Sequence, residues 1–339
     1  MELFFLGTSS GVPSKGRNVS GIALRRANSK SWCLVDCGEA SQHQLLHLPL
    51  SLSQLDTLLI THLHGDHCYG LPGLLASASM QGRSAPLRLV GPADLWPWLQ
   101  ATCAYTHLHL SFALEFHPLE SLQAPLMLAE FELSACPLAH RVPSYAYVFC
   151  EKRLPGKLDE AKLRHSGIPA GPLWGQLHRG ERVEWQGQHY HGHDFILSPR
   201  APRRVIISGD NAEPSCLAPL LPADLLVHEA TYSEEVLAKV GPGPMHCSAA
   251  RIARYASQAG IPNLLLTHFS PRYQRPSGPL SIQALQQEAA AVYAGRLLLA
   301  EDLRHYRLTP EGQLQRGESY RPRALKTGPD VPGSLPESG

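Results

Sequence analysis

One stretch of the chain decides how the rest is interpreted: Leu58-Leu59-Ile60-Thr61-His62-Leu63-His64-Gly65-Asp66-His67. Apolar residues typical of a buried β-strand lead directly into three histidines and an aspartate. In an extended chain His62 and His64 point to the same side, because alternate residues share a face. Gly65 permits a sharp turn, which can bring Asp66 and His67 back toward the same pocket. The stretch therefore predicts a metal site at the end of a strand.

The chemistry of these side chains indicates more than one ion. Imidazole rings and a carboxylate are the ligands that zinc favours at a catalytic site. Four candidate ligands within six residues exceed what one ion needs, so the stretch predicts two ions. A polar turn with incidental histidines is the alternative, and the order of strand, glycine and ligands disfavours it. The 18 histidines of the chain invite a search for the remaining ligands.

Composition restricts the class of protein. With 339 residues, 43% hydrophobic and 17% charged, the chain is typical of a globular protein. No apolar run approaches the ~18 residues of a membrane helix, so we expect no membrane partner. The start, Met1–Gly7, lacks the cationic region of a signal peptide and predicts a buried strand. Eight cysteines without a dense secreted-type pattern fit reduced thiols and a cytoplasmic protein.

Short apolar runs alternate with helical patterns, which favours an α/β fold. The predicted strands are Trp32–Asp36, Thr57–Thr61, Leu87–Val90, Val205–Ser208, Leu225–His228 and Leu264–Thr267. The predicted helices are Ala40–His47, Leu71–Met80, Ser248–Ala259 and Ser281–Ala294.

The pattern changes in two regions. From about 152 to 200, Pro, Gly, Trp and basic residues cluster and hydrophobic periodicity weakens, which predicts a flexible arm inserted into a domain that spans residues 1–320. Residues 321–339 are rich in Pro, Gly and Ser, and we expect a disordered tail there.

The H-x-H-x-D-H pattern of residues 62–67 resembles the signature of the metallo-β-lactamase superfamily, whose fold is an αββα sandwich. That superfamily takes further ligands from three later loops. The matching segments here each follow an apolar strand: Ala139-His140, Ser208-Gly209-Asp210 and Thr267-His268-Phe269-Ser270. The resemblance implies that His62, His64 and His140 hold one zinc ion, that Asp66, His67 and His268 hold the other, and that Asp210 bridges both.

Four more segments resemble ribonuclease Z, the endoribonuclease that processes tRNA 3′ ends. They are Phe5–Pro13 with Arg17–Ser20, Asp36–Glu39 with Gln42–Gln44, His228–Thr231 with Met245–Ala249, and Gly167–Gly175. The resemblance implies a zinc-dependent enzyme, with Mn²⁺ or Co²⁺ as substitutes, that cleaves the 3′ trailer from precursor tRNA. The products would be a tRNA with a 3′-hydroxyl and a trailer with a 5′-phosphate. It also implies a homodimer.

The chain departs from the ribonuclease Z pattern at three places. Asn211 stands where that family commonly has Thr, Ala40-Ser41 where Gly-Thr is usual, and His246-Cys247-Ser248 where His-Ser-Thr is usual. All three changes keep small or hydrogen-bonding side chains, so they leave the class of activity as expected.

Three residues are candidates for proton transfer. Asp66, beside the metal ions, is the expected proton acceptor. An RNA 3′-oxygen is a poor leaving group, so a proton donor should contribute about 10²–10⁴-fold to the rate. His246 is the candidate donor, with Glu229 fixing its tautomer and raising its pKa. The alternative is a histidine at a helix start that only solvent contacts.

The arm supplies the candidate RNA contacts. Its basic residues are Lys152, Arg153, Lys157, Lys162, Arg164, Arg179 and Arg182, which flank the turn at Gly171-Pro172. Composition alone would favour a solvated basic loop. The resemblance instead implies that the arm grips the tRNA elbow and, in a dimer, serves the partner's active site.

Other histidine groups lack the context of a site. They are His107 with His109, His43 with His47, and the run His189–Asp194 in the arm. Two alternative functions stay open at this point: a small-molecule phosphodiesterase or other hydrolase of the same fold, and an RNA-binding relative without metals. A basic arm disfavours the first, and the complete ligand set disfavours the second.

Overall fold

Two β-sheets face each other in the computed structural model, which describes residues 1–152, 156–197 and 200–321. The strands are β1 (Glu2–Gly7), β2 (Gly21–Arg25), β3 (Trp32–Val35), β4 (Leu55–Leu59), β5 (Leu87–Gly91), β6 (Leu114–Pro118), β7 (Leu126–Met127), β8 (Phe131–Leu138), β9 (Ser144–Glu151), β10 (Arg182–Trp185), β11 (Gln188–His191), β12 (Arg204–Ser208), β13 (Leu225–Glu229), β14 (Asn263–Thr267), β15 (Arg296–Leu299), β16 (Arg304–Leu308) and β17 (Leu314–Ser319). The helices are α1 (Ser41–Leu45), α2 (Gly65–Cys68), α3 (Leu71–Met80), α4 (Leu95–Tyr105), α5 (Glu160–His165), α6 (Pro172–His178), α7 (Glu234–Val240), α8 (Ala249–Gln258) and α9 (Ile282–Ala290).

The strand orders are β17-β16-β1-β2-β3-β4-β5-β6 and β15-β14-β13-β12-β9-β8-β7. Side chains point alternately to the two faces of each strand, and this alternation separates the core between the sheets from the layers of helices outside. Leu3 and Phe5 of β1 point into the core between the sheets, whereas Phe4 and Leu6 point outward to the helices. Helices α3 and α4 cover the outer face of the first sheet, and α8 and α9 cover that of the second. The predicted αββα sandwich is confirmed.

The six strands and four helices predicted from the sequence pattern are present, as is the predicted first strand, with boundaries that differ by a few residues. Ser248 and Ser281, predicted as first helical residues, are caps whose side chains accept from Arg251 N and Ala284 N. Asp36 ends β3 with φ of 60°. The strand before His140, predicted over 131–137, is present as β8, whereas sequence analysis missed β9, its long antiparallel partner in the second sheet.

Chain direction places the site. Strands β12, β13 and β14 are parallel to one another. Strands β8 and β12 both lie antiparallel to β9, so β8 runs in the same direction as these three strands. Their carboxyl ends therefore meet at one edge of the second sheet. That edge faces the end of β4 in the first sheet, because Tyr145 N, at the start of β9, donates to Thr61 O at 3.1 Å.

The arm has a core of its own, which sequence analysis did not predict. Helices α5 and α6 and the β10–β11 hairpin surround the buried side chains Leu163, Ile168, Leu177, Val183 and Phe195. These five residues come from separate short segments, so no periodic run marks them. Leu158 pairs with Ile196 where the arm leaves the body. Arg153 and the predicted tail beyond Arg321 lie outside the described residues.

No helix within these described ranges is long and apolar enough to cross a membrane.

Candidate metal centre

The side chains predicted as ligands of one ion come together at the sheet edge. The ligand atoms of His62, His64, His140 and Asp210 all lie within 4.8 Å of one another. Nδ1 of His64 is 3.1 Å from Nε2 of His62 and 3.2 Å from Nε2 of His140. Oδ2 of Asp210 is 3.6 Å from Nε2 of His62 and 3.7 Å from Nε2 of His140. These four groups form the first candidate cluster.

The second candidate cluster is buried beside the first. Nε2 of His67 lies 3.1 Å from Nε2 of His268 and 3.4 Å from Oδ2 of Asp66. Oδ1 of Asp210 is 3.6 Å from Nε2 of His67 and 3.4 Å from Nε2 of His268. The two oxygens of Asp210 thus face different clusters, as a bridging carboxylate requires.

The hydrogen-bond partners of the rings show that this donor set suits cations. The Nδ1 atoms of four histidines donate outward: His62 to Thr61 Oγ1 (3.0 Å), His67 to Asp36 Oδ2 (2.7 Å), His140 to Met245 O (3.0 Å) and His268 to Thr231 Oγ1 (3.1 Å). Their Nε2 lone pairs then point at one another and at carboxylate oxygens. Such an arrangement is unfavourable unless a positive ion lies between them, and outward Nδ1 bonds of this kind are typical of metal-ligating histidines.

Local backbone features let the ligands converge. The Asp210 loop approaches Thr61 so closely that a Cβ on Gly209 would lie 2.7 Å from the Thr61 Cβ and 2.8 Å from the Ser144 Oγ. Only glycine fits there. His268 has φ of 58°, a left-handed conformation that turns its ring back from the end of β14 toward the centre.

Asp36 positions the first-sheet ligands. Its Oδ1 accepts from Thr61 N at 2.8 Å, and its Oδ2 accepts from Thr61 Oγ1 at 3.0 Å as well as from His67. One buried carboxylate therefore fixes the start of the ligand loop and the orientation of a ligand ring. Sequence analysis noted Asp36 only as part of a family segment, because nothing local in the sequence reveals contacts 25 and 31 residues away.

His246 and Glu229 are in contact, as expected. Nδ1 of His246 lies 3.0 Å from Oε2 of Glu229, whose carboxylate is buried. Burial alone would favour the neutral ring, but the Glu229 charge and hydrogen bond raise the pKa of His246 to about 9. Burial also opposes the charge of Glu229, but His246 holds the pKa of that carboxyl below its usual range. Ligand atoms of His246, Asp210 and His268 lie within 4.8 Å, so distance alone would also allow His246 as a ligand.

Asn211, a departure from the family pattern, connects three loops of the site. Its backbone N donates to Glu229 Oε1 at 2.7 Å, and its Oδ1 accepts from Ala139 N at 3.3 Å, next to His140. Its Nδ2 donates to Nε2 of buried His228 at 3.2 Å. The amide carries its acceptor and its donor on separate atoms, so it bonds Ala139 and His228 at the same time, whereas a threonine side chain has one polar atom.

Two further side chains near the centre were missed by sequence analysis. The Tyr232 ring lies 5.9 Å from that of His246, and the Arg272 guanidinium lies 5.5 Å above the Tyr232 ring. Their positions in the sequence could have indicated this, because Tyr232 directly follows the segment His228–Thr231 and Arg272 lies two residues after the segment Thr267–Ser270.

The histidines that were set aside in the sequence lie away from the clusters. His43, His47, His107 and His109 are exposed, as are His189, His191 and His193 of the arm. None of them belongs to a group of potential ligands among the described residues.

The arm is less basic than its sequence implied. The proposed contact residues Lys157, Arg164, Gly171, Pro172 and Arg179 are all exposed. However, Arg164 pairs with Glu160 at 2.7 Å and Arg179 with Glu181 at 2.6 Å. Between residues 156 and 197, five Lys and Arg residues are balanced by five Asp and Glu residues, and five histidines accompany them.

Comparison with known proteins places the fold and site among nucleases. The chain is 48% identical over 318 residues to ribonuclease Z of Pseudomonas putida strain W619, covering 93% of this chain and 99% of that protein. It is 43% identical over 319 residues to ribonuclease Z of Marinobacter nauticus, with the same coverage. Residues 1–155 also match the family model described as anti-Pycsar protein Apyc1.

Solved structures agree. The short form of human tRNase Z superposes with a TM-score of 0.63 at 26% identity, covering 91% of this chain and all of that one. The metallo-β-lactamase fold protein YhfI from Bacillus subtilis gives a TM-score of 0.61 at 20% identity over 93% and 99% of the two chains. The second match bears on the fold alone.

Proposed function

The chain belongs to the ribonuclease Z family, and on this basis we propose that it is a zinc-dependent endoribonuclease that removes the 3′ trailer from precursor tRNA. Cleavage leaves a 3′-hydroxyl on the tRNA and a 5′-phosphate on the trailer. The observation that carries this proposal is the convergence, at one sheet edge, of seven ligand side chains with the His246–Glu229 pair.

Seven side chains would hold two Zn²⁺ ions, with Mn²⁺ or Co²⁺ as substitutes. His62, His64 and His140 would hold one ion, Asp66, His67 and His268 would hold the other, and Asp210 lies where it could contact both. When bound, two such ions supply Lewis-acid activation of water and of the phosphoryl group. The outward Nδ1 bonds of four of the histidines support this assignment, because they leave Nε2 as the ligand atom.

The protein's own groups move the protons. Asp66 accepts the proton of the attacking water; its Oδ2 is held by Gly11 N at 2.7 Å, which fixes the direction of the carboxylate. His246 donates a proton to the leaving 3′-oxygen. Glu229 binds its Nδ1, so the ring nitrogen that remains for substrate is Nε2. A raised pKa keeps the ring protonated at neutral pH.

The arm, residues 152–200 of the nuclease domain that spans 1–320, binds the tRNA elbow. The form of the arm supports this role. It is a folded unit with its own core, joined to the body where Leu158 pairs with Ile196. Its exposed Lys157, Arg164 and Arg179, with Gly171-Pro172 between them, offer contacts to phosphates.

The protein acts as a cytoplasmic homodimer. Reduced thiols support the compartment, since all eight cysteines are free. Large exposed apolar side chains support the dimer: Leu46, Met80 and Tyr105, at the ends of α1, α3 and α4, are 72%, 89% and 89% exposed. Sedimentation velocity of the protein and of Met80→Asp tests it; a monomeric parent protein contradicts it.

A comparison of substrates tests the function. Precursor tRNA with a 3′ trailer, the same trailer on a simple hairpin, a cyclic nucleotide and an aryl phosphodiester are compared by kcat/KM. The proposal expects the precursor tRNA to be the preferred substrate. Preference for the cyclic nucleotide, with the precursor tRNA uncut, would favour a small-molecule phosphodiesterase of the same fold.

A further inference from the structure

A cavity of about 350 Å³ lies beside His246 and outside the metal centre. Its lining includes Leu237 from α7, Pro242 and Met245 from the loop after α7, and Arg251 from the first turn of α8. None of the seven proposed metal ligands lines it. Its volume falls in the range of small-ligand pockets and leaves room for one nucleoside. We call it the His246 cavity.

The walls of the His246 cavity are coupled to the site. Helix α7 buries none of its own side chains, so Leu237 is half-buried beside the cavity instead of packed in the core. The loop that follows ends at Met245, whose φ is 55°. The Met245 carbonyl accepts from Nδ1 of the proposed ligand His140 at 3.0 Å, and the next residue is His246 itself. One loop thus forms a cavity wall, orients a ligand and carries the proton donor.

The chemistry of the proposed cleavage determines which part of the substrate lies here. A proton donor must lie within about 2.6–3.2 Å of the atom that it protonates. In trailer removal that atom is the 3′-oxygen of the last nucleotide of the mature tRNA. This nucleotide must therefore lie next to His246, and the adjoining cavity is open to its base. We propose, building on the function above, that the His246 cavity binds the base of the last tRNA nucleotide and makes cleavage depend on its identity.

The lining suits a nucleobase. Leu237, Pro242 and Met245 provide apolar surfaces for its faces. Arg251 provides hydrogen-bond donors for the edge of the base. Its guanidinium donates to Ala212 O at 3.1 Å, which holds it in place and leaves further N–H groups free to donate to the base. The carboxylate at the cavity, Glu234, is already engaged by Ser248 Oγ at 2.6 Å and Arg254 at 2.9 Å. Since the four bases present different acceptors to a guanidinium, Arg251 is the discriminating contact.

Four precursor tRNAs that differ only in the last nucleotide before the trailer test this proposal. The wild-type protein should show at least a threefold spread in kcat/KM among them. Arg251→Ala should reduce that spread to within a factor of two and lower kcat/KM for the best substrate. Gln258→Ala is the control, because Gln258 is exposed on the same helix, does not line the cavity and contacts no residue that lines it. Equal cleavage of all four by the wild type, or a spread that Arg251→Ala leaves intact, would overturn the proposal.

A binding measurement provides a readout independent of turnover. 2-Aminopurine replaces the last tRNA base, and its fluorescence is followed as protein is added. Stacking in the cavity should quench the signal, and Leu237→Trp, which fills the cavity, should abolish the change. Lys239→Trp, an exposed substitution on the same helix, should not. Identical quenching by both variants contradicts the proposal. Failure of the wild type to cut any precursor tRNA would instead refute the proposed function.

Discussion

Nδ1 of His67 lies 2.7 Å from Oδ2 of Asp36, and both side chains are buried. The contact joins the end of β3 to the ligand loop that follows β4. The orientation of a candidate ligand is thus set by a residue outside the metal motif. Partners of this kind typically change metal affinity by 10–100-fold when they are removed.

Asp36→Asn should weaken metal binding by about 10–100-fold. Asparagine tolerates the φ of 60° at this position, so the substitution removes the charge and one acceptor without adding backbone strain. Competition with a chromophoric chelator measures the affinity. Asp56→Asn, a substitution at the partner of Arg88 far from the ligands, is the control. Equal affinity in both variants would mean that Asp36 has no positioning role.

Asp210→Ala should abolish the binding of both metal ions, because the two oxygens of Asp210 face different clusters. His140→Ala should weaken the binding of mainly one ion, since His140 belongs to one cluster. Metal content of purified, undialysed protein distinguishes the two cases, with exposed His107→Ala as the control. Full activity in chelator without bound metal would remove the two-ion account.

His246→Ala should slow RNA cleavage by about 10²–10⁴-fold but affect an aryl phosphodiester much less. A phenolate leaves without protonation, whereas an RNA 3′-oxygen does not. The comparison of single-turnover rates on the two substrates measures the difference. An equal loss on both would assign His246 to metal support, a role that its distance of 3.7 Å from Asp210 also allows.

Asn211→Thr should reduce the free energy of unfolding by about 1–3 kcal/mol. The amide bonds Ala139 N and buried His228 through two different atoms, and threonine, with one side-chain polar atom, cannot keep both contacts in this geometry. Urea denaturation of the metal-free protein measures the change without a contribution from metal binding. An unchanged midpoint would mean that the loop rearranges to satisfy His228.

Excision of the arm should separate tRNA binding from chemistry. The deletion should run from 156 to 197, because Val183 and Phe195 belong to the arm core and a shorter excision would expose them. A short flexible linker can close the gap, since the pairing of Leu158 with Ile196 shows that the excised segment begins and ends close together. Metals and aryl phosphodiesterase activity should remain, while affinity for precursor tRNA and its salt dependence should fall. Normal tRNA processing by the deletion variant would contradict the role of the arm.

The α/β class and the ligand stretch of residues 62–67 were predictable from the sequence pattern, and family resemblance implied the sandwich and the full set of seven candidate ligands. His246 and Glu229 were likewise paired by family resemblance before their contact was known. The structure brings these residues together as the motifs indicated, because strand ends and short motifs are local features of a sequence.

Contacts between distant segments could not be predicted in this way. The bond of Asp36 to His67 and that of Asn211 to His228 depend on how separate loops meet. The arm core is assembled from single apolar residues on five short segments, so its sequence looks irregular. The arm has as many acidic as basic residues between 156 and 197, and an interpretation based on its basic residues alone overestimates its positive charge.

Cleavage of precursor tRNA in ¹⁸O-labelled water tests the central claim most directly. Mass spectrometry of both products locates the new oxygen. The account predicts one ¹⁸O in the 5′-phosphate of the trailer and an unlabelled 3′-hydroxyl on the tRNA, with no reaction by Asp210→Ala. A trailer with a 5′-hydroxyl, and a tRNA that ends in a phosphate or cyclic phosphate, would contradict it.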